Sequence, residues 1–167
     1  MKRLILMRHA KSDWSGHVSS DHDRPLNKRG RHSADALGAW LREIDIQPDT
    51  VLCSSAERTH ETLALLKVAE DAAVDFTRAL YLASAGEILA QLHRAEGETV
   101  LMLGHNPGIS AFAQMILSAP PEGEDFLRYP TGATVIAEFD VESWADVAWY
   151  SGTLRHFMIP RRLPGMA

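Results

Sequence analysis

The sequence has few of the features that mark secreted, membrane-bound or disulfide-stabilised proteins. It contains one cysteine in 167 residues, Cys53, so no disulfide can form within the chain, and we expect this thiol to be a buried packing residue. No apolar run approaches the roughly 20 residues that span a bilayer. The apolar run at the N-terminus is interrupted by Arg8 and His9 and is too short for a signal peptide. These absences predict a cytoplasmic protein that does not bind membranes.

Positive charge is also scarce. Lysine and arginine number 17 against 22 aspartate and glutamate residues, which gives a net charge of −5. Nucleic-acid-binding proteins usually carry a basic excess, so this balance argues against nucleic acid as a partner. It does not exclude a small anionic substrate, because a local arginine cluster can lie on an acidic protein. The length and the 46% hydrophobic content predict a single domain over residues 1–167 with its own core.

Strand and helix patterns alternate along the chain. Continuous apolar runs predict buried strands at residues 3–7, 50–53 and 99–103. Helical spacing predicts a helix after an Asn27 N-cap, a second after a Ser54-Ser55 cap, and others near 85–94 and 109–117. Later strands are predicted at 133–140 and 147–151, followed by an irregular tail. This alternation predicts a three-layer α/β/α sandwich around a largely parallel central sheet.

Each of the three buried strands is followed by a polar turn. The turns supply Arg8 and His9, then Arg58 within Ser-Ser-Ala-Glu-Arg, then His105 and Asn106. Ligands of open α/β sheets bind at the carboxyl ends of the strands. If these strands are parallel neighbours, two histidines and two arginines converge there.

Two histidines with two arginines favour phosphate chemistry. A guanidinium binds phosphoryl oxygens through two parallel hydrogen bonds and stays charged at working pH. A neutral histidine can attack phosphorus, and a second, cationic histidine can donate to an oxygen. A metal site is not expected, because a neighbouring arginine would repel the cation and carboxylate or thiolate ligands are missing from the set.

Four motifs in order resemble those of the histidine phosphatase superfamily, also called phosphoglycerate mutase-like. They are LMRHAKS near the N-terminus, DRPLNKRG before the first helix, CSSAERTHET after the second strand and LMLGHNPGIS after the third. The short chain, and Arg-His-Ala-Lys-Ser in place of Arg-His-Gly, look most like phosphohistidine phosphatases of the SixA type. The resemblance implies the phosphoglycerate mutase-like fold, a phosphatase activity, and no metal or organic cofactor.

The same resemblance implies roles for individual residues. His9 would be the nucleophile and become a transient phosphohistidine, Arg8 and Arg58 would hold the phosphoryl oxygens, and His105 would be a cationic donor. Substrate-binding positions are also implied, and these are Arg24, Lys11, Ser12 and Asn106. The implied partner is a phosphorylated protein, such as a histidine phosphotransfer domain, or a small phosphate ester.

The sequence departs from the family pattern at the general acid. Tyr81 stands where many members carry a glutamate or aspartate, and tyrosine, with an ordinary pKa near ~10, is a poor acid. A phosphohistidine expels neutral imidazole, which needs an acid far less than an alkoxide does, so this departure favours a phosphohistidine substrate. Asp13, Asp23 and Glu87 stay open as alternative proton donors.

Other functions and other residues remain open. A phosphatase for small phosphate esters would use the same scaffold, and a non-catalytic module could bind phosphorylated partners. His17 and His22 are expected in a solvated loop, with the lining of a substrate entrance as the alternative. Core packing is the favoured interpretation of Trp14, with a cover over the site as the alternative.

Overall fold

The computed structural model describes residues 1–16 and 18–166, so His17 lies outside the described residues. Helices and strands alternate along this part of the chain as predicted, with short 3-10 turns between them. The elements in chain order are β1 (Lys2–Arg8), α1 (Lys28–Glu43), β2 (Thr50–Ser54), α2 (Glu57–Leu66), β3 (Ala73–Thr77), α3 (Ala85–His93), β4 (Thr99–Gly104), α4 (Gly108–Ile116), α5 (Glu124–Arg128), β5 (Thr134–Phe139) and β6 (Thr153–Met158). Within the described residues, no helix is both long enough and apolar enough to cross a membrane.

The strands form one mixed sheet in the order β3-β2-β4-β1-β5-β6. The first four are parallel, whereas β5 runs antiparallel to β1, and β6 antiparallel to β5. Arg8 at the end of β1 pairs with Gly104 at the end of β4, and Cys53 of β2 pairs with Leu103. The three strands that precede the polar turns are therefore parallel neighbours, as predicted, and their carboxyl ends share one edge of the sheet.

Both faces of the sheet are covered, which confirms the three-layer sandwich. Leu4 and Leu6 of β1 pack into the core beneath α3 and α4, and Ile5 and Met7 pack into the core beneath α1 and α2. Alternate residues of a strand point to opposite faces, so a strand covered on both sides reads as a continuous apolar run. Cys53 is fully buried, as expected, and burial raises the pKa of its thiol to about 12.

The chain after residue 140 differs from the prediction. Residues 147–151 form no strand, because Val147 and Trp149 pack on the core from the loop after the 3-10 turn Trp144–Asp146. The last strand is instead β6, inside the tail predicted to be irregular. As an edge strand it exposes Arg155 and His156, so it has no apolar run to signal it. The edge strand β3 and the short α5 were also not predicted, and β3 is mostly exposed.

The start of α1 is fastened to the segment that follows His9. The Asn27 side chain accepts a hydrogen bond from the Gly30 amide at 2.8 Å, as the N-cap prediction required, and the Asn27 amide donates to the Lys11 carbonyl at 3.0 Å. A Cβ on Gly30 would lie 1.9 Å from the same Lys11 carbonyl oxygen. Glycine is therefore required here by close approach, and this contact fixes the backbone beside the strand end.

Candidate active site

Four side chains singled out in the sequence lie together at the shared strand edge. Arg8 ends β1 and His9 follows it, His105 follows β4, and Arg58 lies in the first turn of α2. The imidazole rings of His9 and His105 have centroids 5.2 Å apart. Burial, and then the charge of nearby Arg58, lowers the pKa of Arg8. The structure therefore brings these four residues into one electropositive cluster.

His9 is held in one tautomer. Its ring is 5% exposed, and Nδ1 lies 2.6 Å from the Ala10 carbonyl oxygen. A carbonyl oxygen only accepts, so Nδ1 carries the proton and donates it, which leaves the lone pair on Nε2. Burial lowers the pKa of His9 to about 3. A neutral imidazole with its lone pair on Nε2 is the form that can act as a nucleophile.

His105 is oriented by a serine that the sequence did not single out for this purpose. Its Nε2 lies 2.7 Å from Ser54 Oγ, which also accepts from the Ala56 amide at 3.3 Å. Ser54 and Ser55 were predicted to cap α2, but that helix begins after Ala56 without a side-chain cap, so the prediction was wrong. Ser54 ends a buried strand, which places its hydroxyl at the sheet edge beside His105.

The charge state of His105 depends on what it faces. Burial, and then the charge of Arg58, lowers the pKa of His105 to about 3, so the ring is neutral at pH 7 despite the opposing charge of the Asp21 carboxylate. Its Nδ1 is buried and has no hydrogen-bond partner among the described residues. The cationic role implied by the family resemblance therefore requires a bound anion, whose charge would raise this pKa.

The arginines are held by main-chain carbonyls and by one carboxylate. Arg8 donates from Nη1 to the Tyr129 carbonyl at 3.1 Å. Arg58 is 2% exposed and donates from Nη1 to the Asp21 carbonyl at 2.8 Å and from Nη2 to Asp21 Oδ2 at 3.0 Å. Arg24 donates from Nη2 to Asp21 Oδ1 at 3.0 Å. Asp21 thus bridges two of the predicted phosphate-binding arginines.

Asp21 and Tyr81 form the rim of the cluster. The Tyr81 ring centroid lies 5.5 Å from that of His105, and its hydroxyl donates to Asp21 Oδ2 at 2.6 Å. Burial, and then the hydrogen bond to Asp21, raises the pKa of Tyr81, which makes it a weaker acid still. Asp21 was not predicted as a site residue. Its position two residues before Asp23 in the DRPL motif was the only sequence signal.

The three carboxylates considered as proton donors are engaged elsewhere. Asp13 accepts from the Ser15 amide and hydroxyl, and Asp23 accepts from the Ser19 hydroxyl. Glu87 caps α3 by accepting from Ser84. These contacts are local to each loop or helix start.

The remaining predicted positions surround the cluster in different ways. Ser12 is buried and accepts from Arg24. The Asn106 amide donates to the carbonyls of Arg128 and Tyr129, so its side chain braces the turn that also holds Arg8. Lys11 is exposed and lines a separate cavity of about 160 Å³.

The predicted core packing of Trp14 is wrong. Its side chain is 79% exposed, and its ring lies over the Arg24 guanidinium with 3.6 Å between the ring centroid and Cζ. His22, expected in solvent, is half-buried, with Nε2 2.8 Å from Ser55 Oγ and its ring edge-on to Tyr81. The loop before α1 therefore folds over the strand edge.

The sandwich fold with histidines and arginines at the strand ends defines a protein of the phosphoglycerate mutase-like class. Residues 4–88 match the family model of the histidine phosphatase superfamily (branch 1), and the chain belongs to this superfamily of phosphatases and mutases. An uncharacterised protein of Mycobacterium tuberculosis strain H37Rv is 35% identical over 164 residues, covering 93% of this chain and 100% of the relative.

Solved structures agree with this assignment. A protein from Nakamurella multipartitia, proposed to be the phosphohistidine phosphatase SixA, has a TM-score of 0.82 and 34% identity, covering 95% of this chain and 96% of that chain. One from Agrobacterium tumefaciens, also proposed to be SixA, has a TM-score of 0.75 and 26% identity, covering 95% and 98%.

Proposed function

We propose that this protein is a phosphatase that transfers a phosphoryl group to His9 and then to water, and that its substrate is phosphohistidine on a protein. The observation that carries the proposal is that His9 is buried, neutral and held in one tautomer. Its Nδ1 proton is committed to the Ala10 carbonyl, and its Nε2 lone pair lies in a buried cluster of cations. Both similar structures named above, proposed to be phosphohistidine phosphatases, support the substrate class.

The residues support a two-step reaction. In the first step His9 Nε2 attacks phosphorus, the P–N bond to the substrate imidazole breaks, and that imidazole leaves as the neutral ring once protonated. In the second step water attacks phosphorus, the bond to His9 Nε2 breaks, and the water proton passes to solvent or to phosphate. Donors on Arg8, Arg58 and His105 would hold the three phosphoryl oxygens, where negative charge is concentrated.

The leaving group decides between substrates on this scaffold. An alkoxide expelled from a sugar phosphate has to be protonated as it departs, and the Tyr81 hydroxyl, with its raised pKa, is poorly suited to that task. A phosphohistidine is protonated on its own ring and needs no enzyme acid. A phosphatase for small phosphate esters is therefore the second candidate.

A non-catalytic binding module is disfavoured by the same histidine. Binding a phosphoryl group requires the arginines and a few donors, whereas it does not require a neutral imidazole with a fixed tautomer. The pKa of about 3 means that His9 adds no positive charge to the cluster at pH 7.

The test compares rates for wild type, His9→Ala and His32→Ala on a histidine-phosphorylated protein and on a sugar phosphate. His32 is an exposed histidine of α1, so its variant controls for loss of an imidazole. We expect wild type and His32→Ala to prefer the phosphohistidine strongly, and His9→Ala to be inactive but folded.

The outcomes separate the candidates. If wild type turns over the sugar phosphate as fast as the phosphohistidine or faster, the proposed substrate is wrong and a small phosphate ester is favoured. Phosphoprotein binding without turnover by any variant would favour the binding module. Normal turnover by folded His9→Ala would refute the assignment of His9 as the nucleophile.

A further inference from the structure

The Asp21 carboxylate binds the groups that a phosphoryl substrate would use. We propose that Asp21 is a specificity-determining residue, an internal ligand of the phosphoryl site that an incoming phosphoryl group must displace. This inference rests on the proposed function, because it takes Arg58 as a ligand of the phosphoryl group, and it adds Arg24, which the family resemblance implies as a substrate-binding residue.

The carboxylate occupies its donors as an oxyanion does. Oδ2 accepts from Arg58 Nη2 at 3.0 Å and from the Tyr81 hydroxyl at 2.6 Å, while Oδ1 accepts from Arg24 Nη2 at 3.0 Å. The Arg58 side chain is 3% exposed, so solvent offers little in place of this partner. Two oxygens on two guanidinium groups and a hydroxyl reproduce the hydrogen bonds expected of a phosphoryl group.

Charge also favours the internal ligand. Arg8, Arg24 and Arg58 place three cations around the strand edge, and the Asp21 carboxylate reduces the repulsion among them. The hydrogen bond from Tyr81, followed by those from the two arginines, holds the pKa of Asp21 well below its usual range. The Asp21 carboxylate, which competes with the phosphoryl group, is therefore negatively charged throughout the neutral pH range.

Asp21 can leave without disturbing the core. Its side chain is 43% exposed and lies in the 3-10 turn Asp21–Asp23, which has no buried residue. Rotation of the carboxylate into solvent breaks three side-chain hydrogen bonds and unpacks no apolar surface. Displacement thus exchanges one anion for another on the same donors.

The consequence is selectivity by charge. The affinity measured for any anion is reduced by the fraction of molecules in which Asp21 has left the site. A weakly bound monoanion gains too little from the arginines to displace the carboxylate, whereas a phosphoryl dianion presents more charge and a third oxygen. Asp21 would therefore keep the site closed to common carboxylates.

The test measures binding of inorganic phosphate by isothermal titration calorimetry, which does not require turnover. The variants are Asp21→Asn and Asp21→Ala, with Asp23→Asn as the matched control. Asp23 lies on the same turn and carries the same charge, but its carboxylate accepts from Ser19 and Ser20. We expect both Asp21 variants to bind phosphate about tenfold tighter or more, and the control to change less than about twofold.

Acetate provides a second measurement. In Asp21→Ala, added acetate should weaken phosphate binding relative to chloride of the same ionic strength, because it replaces the missing carboxylate. In wild type it should have no such effect.

The results can overturn the inference in three ways. Unchanged phosphate affinity in both Asp21 variants, or an equal gain in Asp23→Asn, would refute the internal ligand. A gain that persists in the Arg58→Ala background would show that Asp21 does not act through that arginine. If wild type does not turn over a histidine-phosphorylated protein, the proposed function fails, whereas an active wild type with unchanged phosphate affinities in the Asp21 variants refutes the inference alone.

Discussion

Replacement of Arg58 gives the largest effect that the site geometry predicts without touching the nucleophile. Its guanidinium is nearly inaccessible and presents two donors, Nη1 and Nη2, on one edge toward Asp21. Loss of one donor to transition-state charge typically costs about 10² to 10³ in rate. Arg58→Ala removes the Nη2 donor together with the whole guanidinium charge, so we expect kcat/KM to fall by about 10³. Arg58→Lys keeps the charge but loses the paired geometry, so we expect an intermediate loss of about 10².

The assay is single-turnover dephosphorylation of a histidine-phosphorylated protein, with thermal unfolding measured on the same samples. Arg58→Ala loses the ion pair and hydrogen bonds to Asp21 but relieves the repulsion with Arg8, so the unfolding measurement establishes that the variant is folded under the assay conditions. Arg94→Ala, on an exposed arginine at the end of α3, controls for loss of a cation. A rate within about threefold of wild type for folded Arg58→Ala would refute the assignment of this arginine to the site.

Three further predictions concern the strand edge and its support. Gly30→Ala should destabilise the fold by about 1–3 kcal/mol and lower activity, because the new Cβ would clash with the Lys11 carbonyl. Gly86→Ala is the control: it has open space around it and should stabilise the fold by about 0.5–1 kcal/mol. Urea unfolding measures the free energy of unfolding of both variants. Trapped phosphoenzyme should carry phosphorus on Nε2 of His9 and not on Nδ1, which ³¹P NMR of the denatured intermediate distinguishes. The folded pKa values of His9 and His105 lie near 3, below the unfolded value of about 6.5, so the unfolded state binds more protons between them. Stability should therefore fall as pH decreases from about 6.5 toward 3, and a variant with asparagine at both positions should lose less on going from pH 7 to pH 5.

The sequence predicted the features that depend on buried strands and missed those that depend on edges. Continuous apolar runs marked β1, β2 and β4, and the parallel order of these strands places Arg8, His9, Arg58 and His105 together. The edge strand β6 has no such run, because one side of it faces solvent. Its pairing with β5 is decided by the rest of the sheet.

The residues that the sequence did not reveal act through folding of the loop before α1. Asp21 has no periodicity and no motif of its own, and its role follows only from the turn that carries its carboxylate to Arg58. Ser54 was misread for a related reason, since a serine between a strand and a helix favours a cap on local grounds. Its contact with His105 joins residues 51 positions apart, which local patterns do not encode.

The protons held around the site bear on the proposed substrate. His9 keeps its proton on Nδ1 and donates a hydrogen bond to the Ala10 carbonyl, Tyr81 donates a hydrogen bond to Asp21, and Asp21 itself is ionised. None of these three groups offers a proton that would leave easily at pH 7, so none of them would help an alkoxide to depart. The same arrangement does not slow the departure of imidazole from a phosphohistidine, because the substrate ring takes its proton from water before it binds. Displacement of Asp21 by a phosphoryl dianion would also free the Tyr81 hydroxyl to donate to a phosphoryl oxygen, where it stabilises charge without giving up its proton. The poor proton donors at this site therefore support the proposal that the substrate is a phosphoramidate, whose leaving group needs no acid from the protein.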